Sequence, residues 1–389
     1  MNIHRKFAIL GFLVVFVCGM ILNAPQSAAA INKDYYYTKG SQILDHSGKP
    51  VAWNGLNWFG FETANYAPHG LWARSMEDML DQAKEQGYNL IRLPYSNQMF
   101  DKGSTVNGID YTKNPNLKSK TPLQIMDYFI KEAGKRGFKI ILDRHRPDAN
   151  SQSELWYTSS YTEKRWIDDW VMLAKRYKGN GIVIGADLHN EPHGKASWGT
   201  GDKQTDWRLA AQRAGNEILK VNKDWLIIVE GVSTHVKNSS GDYWWGGNLQ
   251  GVADYPVKLD VPNRLVYSTH DYGPGVHHQS WFNASNFPNN LPALWDKYWG
   301  YISKQGIAPV LVGEFGGRSV DTKSLEGKWQ RKLVSYIKEN NLYWTYWSLN
   351  PNSGDTGGLL LDDWNTWNKD KQDMLKLIMK NSSTQAAAQ

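Results

Sequence analysis

The chain has 389 residues, 41% hydrophobic and 21% charged, with a formal net charge of +6 and one cysteine. That is the composition of a globular protein with ample material for a core, and a single cysteine excludes an internal disulfide. Lys and Arg are scattered among nearly as many Asp and Glu, with no dense basic run, which argues against nucleic acid as a partner.

In chain order, His4, Arg5 and Lys6 precede an apolar run from Phe7 to Leu22, and "QSAAA" then offers small residues for cleavage near Ala30. The run is shorter than the ~20 residues a spanning helix needs, so residues 1–30 read as a secretion signal rather than an anchor, leaving no membrane contact after cleavage. Cys18 lies inside it, after Val17, which is not the small residue expected before a lipid-modified cysteine. The mature chain therefore carries no thiol, and an extracellular location rests on the signal alone.

Residues 35–50, "YYYTKGSQILDHSGKP", alternate and contain the turn signals Lys39-Gly40 and Ser47-Gly48, which predicts a β-hairpin. Eight short apolar runs follow: "VAWNGLNWFG", "YNLIRLPY", "FKIILDRH", "GIVIGADLHNEP", "WLIIVEGV", "RLVYSTHDYG", "PVLVGEFG" and "LYWTYWSLNP". Runs this continuously apolar suit strands buried on both faces. Helix patterns separate them at 75–87, 121–137, 162–179, 206–222, 291–306 and 327–341, with another at 369–380. The link after "WLIIVEGV" is the weakest, a long loop rich in Gly, Trp and Tyr. Alternation over about 330 residues predicts a single-domain α/β fold, a (β/α)8 TIM barrel over 31–380 with the hairpin closing its bottom. A doubly wound open sheet is the alternative, weakened because no G-x-G-x-x-G follows the first strand. Residues 381–389 form a polar tail expected to be disordered.

Active sites of such barrels lie at the C-terminal strand ends, and here polar and aromatic residues collect there: Asn57, Trp58, Arg92, Arg144, His145, Asn190, Glu191, His270, Tyr272, Glu314 and Trp347. Any one of these could be a satisfied strand-end polar group; so many at equivalent positions point to a site. Glu191 and Glu314 form a carboxyl pair suited to retaining glycoside hydrolysis, in which one attacks the anomeric carbon and the other protonates the departing oxygen. Arg92 and Tyr272 would hold the ionised partner, and Asn190 would bind a sugar hydroxyl. Sugar rings stack on aromatic faces, and Trp72, Trp244, Trp245, Trp281 and Trp347 lie in loops or at a strand end. His189, Glu191 and His193 also alternate as metal ligands might, but Pro192 interrupts the strand, and no metal is expected.

The segments "NWFGFET", "IRLPYS", "ILDRHRPD", "LHNEPHG", "YWWGGNLQG", "RLVYSTHDYGP", "VGEFGG" and "WSLNPNSGDTGG" occur in the order found in glycoside hydrolase family 5, and the chain resembles its bacterial cellulases. The resemblance implies that Glu191 is the acid/base and Glu314 the nucleophile, supported by Arg92, His145, Asn190, His270 and Tyr272. It also carries over Trp347, and further implies an enzyme without cofactors that cuts within β-1,4-glucan chains; Asn57, Trp72, Trp245 and Trp347, read from strand ends and loops, are the expected substrate contacts. A monomer acting on the polysaccharide or its oligosaccharides is expected. A β-mannanase or mixed-linkage glucanase could use the same glutamates. A noncatalytic carbohydrate-binding protein would be expected to lack one of them or Arg92.

Overall fold

The computed structural model describes residues 35–380; the signal and tail readings lie outside them. Strands β1 (Tyr36–Lys39) and β2 (Gln42–Asp45) form an antiparallel hairpin. Eight parallel strands follow, β3 (Gly55–Asn57), β4 (Leu90–Ser96), β5 (Lys139–Arg146), β6 (Val183–Asp187), β7 (Leu226–Glu230), β8 (Leu265–His270), β9 (Val310–Glu314) and β10 (Tyr343–Tyr346). They close in sequence order, with β10 pairing both β9 and β3. Closure disposes of the open-sheet alternative. Gly55 makes the last seam possible, because a Cβ there would lie 2.4 Å from the Thr345 side chain and 2.5 Å from the Trp344 carbonyl oxygen.

Alternation along each strand sorts side chains into two cores. Inward residues of the lower barrel, among them Leu90, Ile141, Ile184, Leu226, Val266 and Leu311, form one apolar cluster with Tyr36, Ile43, Val51 and Trp53. The hairpin thus plugs the bottom, and the Tyr343 hydroxyl fixes it by accepting from the Ile43 amide at 2.7 Å. Outward residues such as Ile140, Leu142, Ala186, Ile227 and Val229 pack under the helices with Phe129, Trp166, Trp170 and Trp207. Each such isoleucine, leucine or valine side chain contributes roughly 1.5–3 kcal/mol on burial.

The surrounding helices are α1 (Met76–Glu85), α2 (Pro122–Lys135), α3 (Glu163–Arg176), α4 (Trp207–Val221), α5 (Leu291–Trp295), α6 (Tyr301–Lys304), α7 (Leu325–Glu339) and α8 (Lys369–Leu375). The starts of α1, α2, α3, α7 and α8 follow capping chemistry. Ser75 and Thr162 accept from the amides of Asp78 and Arg165, and Thr121 forms a reciprocal capping box with Gln124, each worth about 1 kcal/mol.

The structure departs from expectation in four places. The 291–306 helix is interrupted by a π-turn over Asp296–Gly300, and α7 starts two residues early because Ser324 caps it. Helix α8 ends at Leu375. As the loop-like sequence predicts, the β7–β8 connection holds, among the described residues, only the 3-10 turn Gln250–Val252. Strand β6 stops at Asp187, well before Glu191, which adopts a left-handed backbone with φ of 52°.

Candidate active site

Above the apolar floor, the next inward position of β4 is Arg92, fully buried. Its guanidinium is the hub of the site. Nη1 donates to Glu314 Oε1 at 2.6 Å and to Asn57 Oδ1 at 3.1 Å, and Nη2 donates to Asn190 Oδ1 at 2.9 Å and Glu230 Oε1 at 3.0 Å. Nε donates to Asp187 Oδ2 at 2.8 Å, and Asp143 Oδ2 lies 3.2 Å from Nη1. Five fixed N–H donors in one plane allow one side chain to serve this many acceptors, which a lysine ammonium cannot do.

Glu314 ends β9 and receives a second hydrogen bond, from the Tyr272 hydroxyl to Oε2 at 2.8 Å. Glu191 arrives from the opposite side of the barrel mouth. Its Oε1 lies 2.9 Å from His270 Nδ1, which is itself 3.5 Å from Glu314 Oε2. One ligand atom each from Glu191, His270 and Glu314 falls within 4.8 Å of the others. Burial pushes the Glu191 carboxyl above its ordinary range, the direction a proton donor needs. Burial also pushes His270 down to about 3 and His145 down to about 4. Both imidazoles are therefore neutral at ordinary pH, and His145 hydrogen-bonds Asp143 through Nδ1 at 2.6 Å.

The carboxyls open into a cavity of about 750 Å³ at the C-terminal ends of the strands. Trp347 lines it, half-buried and stacked on Phe59 and on His145. Across the cavity Trp245, 49% exposed, lies flat on His193 at 3.7 Å between centroids. Trp244 also lines it, and Trp281 packs behind Tyr243 and Trp244.

Two expected substrate contacts are placed elsewhere. Asn57 is fully buried, its Nδ2 donating to the carbonyls of Gly313, Thr345 and Tyr346 and its Oδ1 held by Arg92. It braces the barrel mouth instead of facing the cavity. Trp72 packs edge-on against Trp364 and beside His69, outside the cavity lining. Trp58 is likewise core, sending its indole N–H to the His69 carbonyl.

A family profile for cellulase (glycosyl hydrolase family 5) matches residues 44–353. The chain belongs to glycoside hydrolase family 5. It is 70% identical over 357 residues to an endoglucanase of Paenibacillus polymyxa, covering 92% of this chain and 90% of that one. It is 45% identical to the major extracellular endoglucanase of Xanthomonas campestris, over 88% of this chain and 71% of that one. The structure of an endocellulase from Pyrococcus horikoshii complexed with cellotetraose superposes with a TM-score of 0.84 at 44% identity, covering 89% of this chain and 98% of that one.

In this family 5 hydrolase the metal-ligand alternation of His189, Glu191 and His193 does not form. Beyond Asp187 the chain leaves the strand; His189 Nδ1 meets Arg144 Nη1 at 2.8 Å, while His193 Nδ1 meets the Glu191 carbonyl at 2.6 Å. Arg144 faces away from the site and also donates to Asn97. The hydrolase also contains three buried acids that reading strand ends missed, Asp143, Asp187 and Glu230. Their ligand atoms lie within 4.8 Å of one another, and each contacts the Arg92 guanidinium. Burial raises all three carboxyls, Asp143 to about 7. The signal was available, since "ILD", "GAD" and "IVE" each put an acid inside an otherwise apolar run.

Proposed function

We propose that the chain is a secreted, retaining endo-1,4-β-glucanase with Glu314 as nucleophile and Glu191 as general acid/base. The observation that carries this reading is the approach of the two carboxylates, with oxygens within 4.8 Å. Double displacement uses carboxyls roughly 5–5.5 Å apart, whereas an inverting enzyme needs roughly 6.5–9.5 Å to admit a water.

The surroundings divide the labour. Arg92 and Tyr272 both donate to Glu314, aiming its carboxyl into the cavity, as a nucleophile requires. Glu191, raised by burial, keeps the proton that the leaving oxygen takes as the glycosidic bond breaks. Glu314 then carries the glycosyl group as an ester. The ionised Glu191 next removes a proton from the incoming water, whose oxygen displaces Glu314 and restores both groups. Asn190 Nδ2, without a partner among the described residues, suits donation to a sugar hydroxyl beside the reacting carbon. Trp347 and Trp245 offer flat faces for sugar rings.

The endoglucanase activity is supported by relatives named endoglucanases at 70% and 45% identity. Export is supported by the N-terminal pattern and by the extracellular Xanthomonas relative; no helix among the described residues is long and apolar enough to cross a membrane. Reducing-end release should be strong on carboxymethyl-cellulose, with a rapid fall in viscosity, and weak on mannan and xylan run in parallel. Preferential release from mannan or xylan would overturn the substrate, and silence on all three would favour a binding protein. Protein recovered from the medium should begin within one or two residues of Ile31; an N-terminus at Met1 would contradict export by cleavage.

A further inference from the structure

We propose that Glu230 is a positioning residue for the acid/base, a buried carboxyl that fixes the Glu191 backbone against the Arg92 guanidinium. This rests on the assignment of Glu191 as acid/base. Glu230 ends β7, is fully buried, and does not line the substrate cavity. Its Oε2 accepts the Glu191 amide at 2.8 Å, and its Oε1 accepts Arg92 Nη2 at 3.0 Å. Each oxygen of one side chain therefore serves a different part of the site.

Glu191 needs such an anchor more than an ordinary strand-end residue does. With φ at 52° it occupies a region that non-glycine residues rarely adopt, and such backbone persists only where its surroundings over-determine it. A buried amide must also find an acceptor. Glu230 meets both needs, because its other oxygen is tied to the most heavily bonded side chain of the barrel. Glu314 keeps its own donors, Arg92 and Tyr272, so the anchor acts chiefly on Glu191.

The loop above is shaped to leave room for it. Gly246 has φ of 71°, and a Cβ there would lie 2.2 Å from Glu230 Oε2 and 3.2 Å from Glu191 Cα. From the outer side, Trp207 Nε1 donates to the Glu230 carbonyl at 2.9 Å, holding the strand end. Glu230 Oε1 is also 3.4 Å from Nε2 of His270, the imidazole whose other nitrogen faces Glu191. The anchor thus reaches Glu191 through its backbone directly and through the His270 ring.

The test compares Glu230→Gln with the unchanged protein on cellotetraose, whose departing sugar needs a proton, and on 2,4-dinitrophenyl β-cellobioside, whose leaving group needs little help. Gln keeps the shape but turns one acceptor into a donor, so it cannot serve both the amide and the guanidinium. We expect kcat on cellotetraose to fall about a hundredfold with KM changed less than about threefold, since misplacement near 1 Å has that effect. The loss in kcat/KM, which reports the glycosylation step, should be at least about tenfold smaller on the dinitrophenyl substrate, and the basic limb of the kcat/KM pH profile should move. Equal losses on both substrates with an unmoved limb, or no loss, would overturn the proposal. Glu191→Gln run alongside keeps the two readings distinct. If it shows no dependence on leaving group, the acid/base assignment fails; if it shows the dependence and Glu230→Gln does not, only the positioning role fails. Should Glu230→Gln not fold, Gly246→Ala presses a methyl onto Glu230 Oε2, and it must show the same leaving-group dependence or the proposal is wrong.

Discussion

Glu314→Gln should lower kcat on carboxymethyl-cellulose by roughly four to six orders of magnitude, the scale seen when a covalent nucleophile is removed, while cellotetraose still binds. The amide has nearly the carboxylate's shape, so the cavity and its aromatic faces persist. It lacks the charge and lone-pair reactivity that form the glycosyl ester. Steady-state kinetics and titration calorimetry on one preparation measure both quantities. Turnover within tenfold of the unchanged protein would remove Glu314 from the nucleophile role, and loss of binding together with turnover would point to a structural one.

Arg92→Ala should destabilise the fold by about 3–5 kcal/mol, the range for breaking a buried ion pair from one side, and nearly abolish activity. Four carboxyls, Asp143, Asp187, Glu230 and Glu314, would lose their shared cation. The deficit has a defined pH dependence. Burial raises Asp143 and Asp187 to about 7 even with Arg92 present. Their contribution is complete below the unfolded value near 4 and declines as pH rises toward 7. Without the guanidinium they hold protons more tightly, so the gap between variant and unchanged protein should stay level from about pH 4 to about pH 7 and widen from about pH 7 to about pH 9, where only the unchanged protein has shed them. Thermal unfolding across that range reads it. A gap that narrows with rising pH would show that these acids do not depend on Arg92.

Much of this was visible in the residues. Eight apolar runs separated by capped helices specify a barrel, because runs buried on both faces need helices outside and a filled interior. The residues at the strand ends then identify the mouth, and Arg92, His145, Asn190, Glu191, His270, Tyr272, Glu314 and Trp347 do meet there or line it. The missing parts have physical causes. Asn57 stands at a strand end like the others, but β3 is only three residues long and abuts β10, so its amide is used by neighbouring carbonyls. Trp72 is one aromatic among many, and its contact with Trp364 joins residues far apart in the chain. Asp143 lies within β5, and Asp187 and Glu230 end β6 and β7; their convergence on Arg92 depends on the barrel's stagger, which a linear pattern does not express. The backbone of Glu191 was equally hidden, because "HNEP" reads as a continuing strand until Asp187 is seen to end it.

The central claim is that Glu191 and Glu314 work by double displacement. The most direct test is proton NMR of the sugar first released from a soluble β-1,4-glucan, recorded before mutarotation equilibrates it. Two successive inversions at the anomeric carbon predict the β-anomer as the initial product. An initial α-anomer would mean a single displacement by water, and Glu314 could then not be the nucleophile nor Glu191 its acid/base partner.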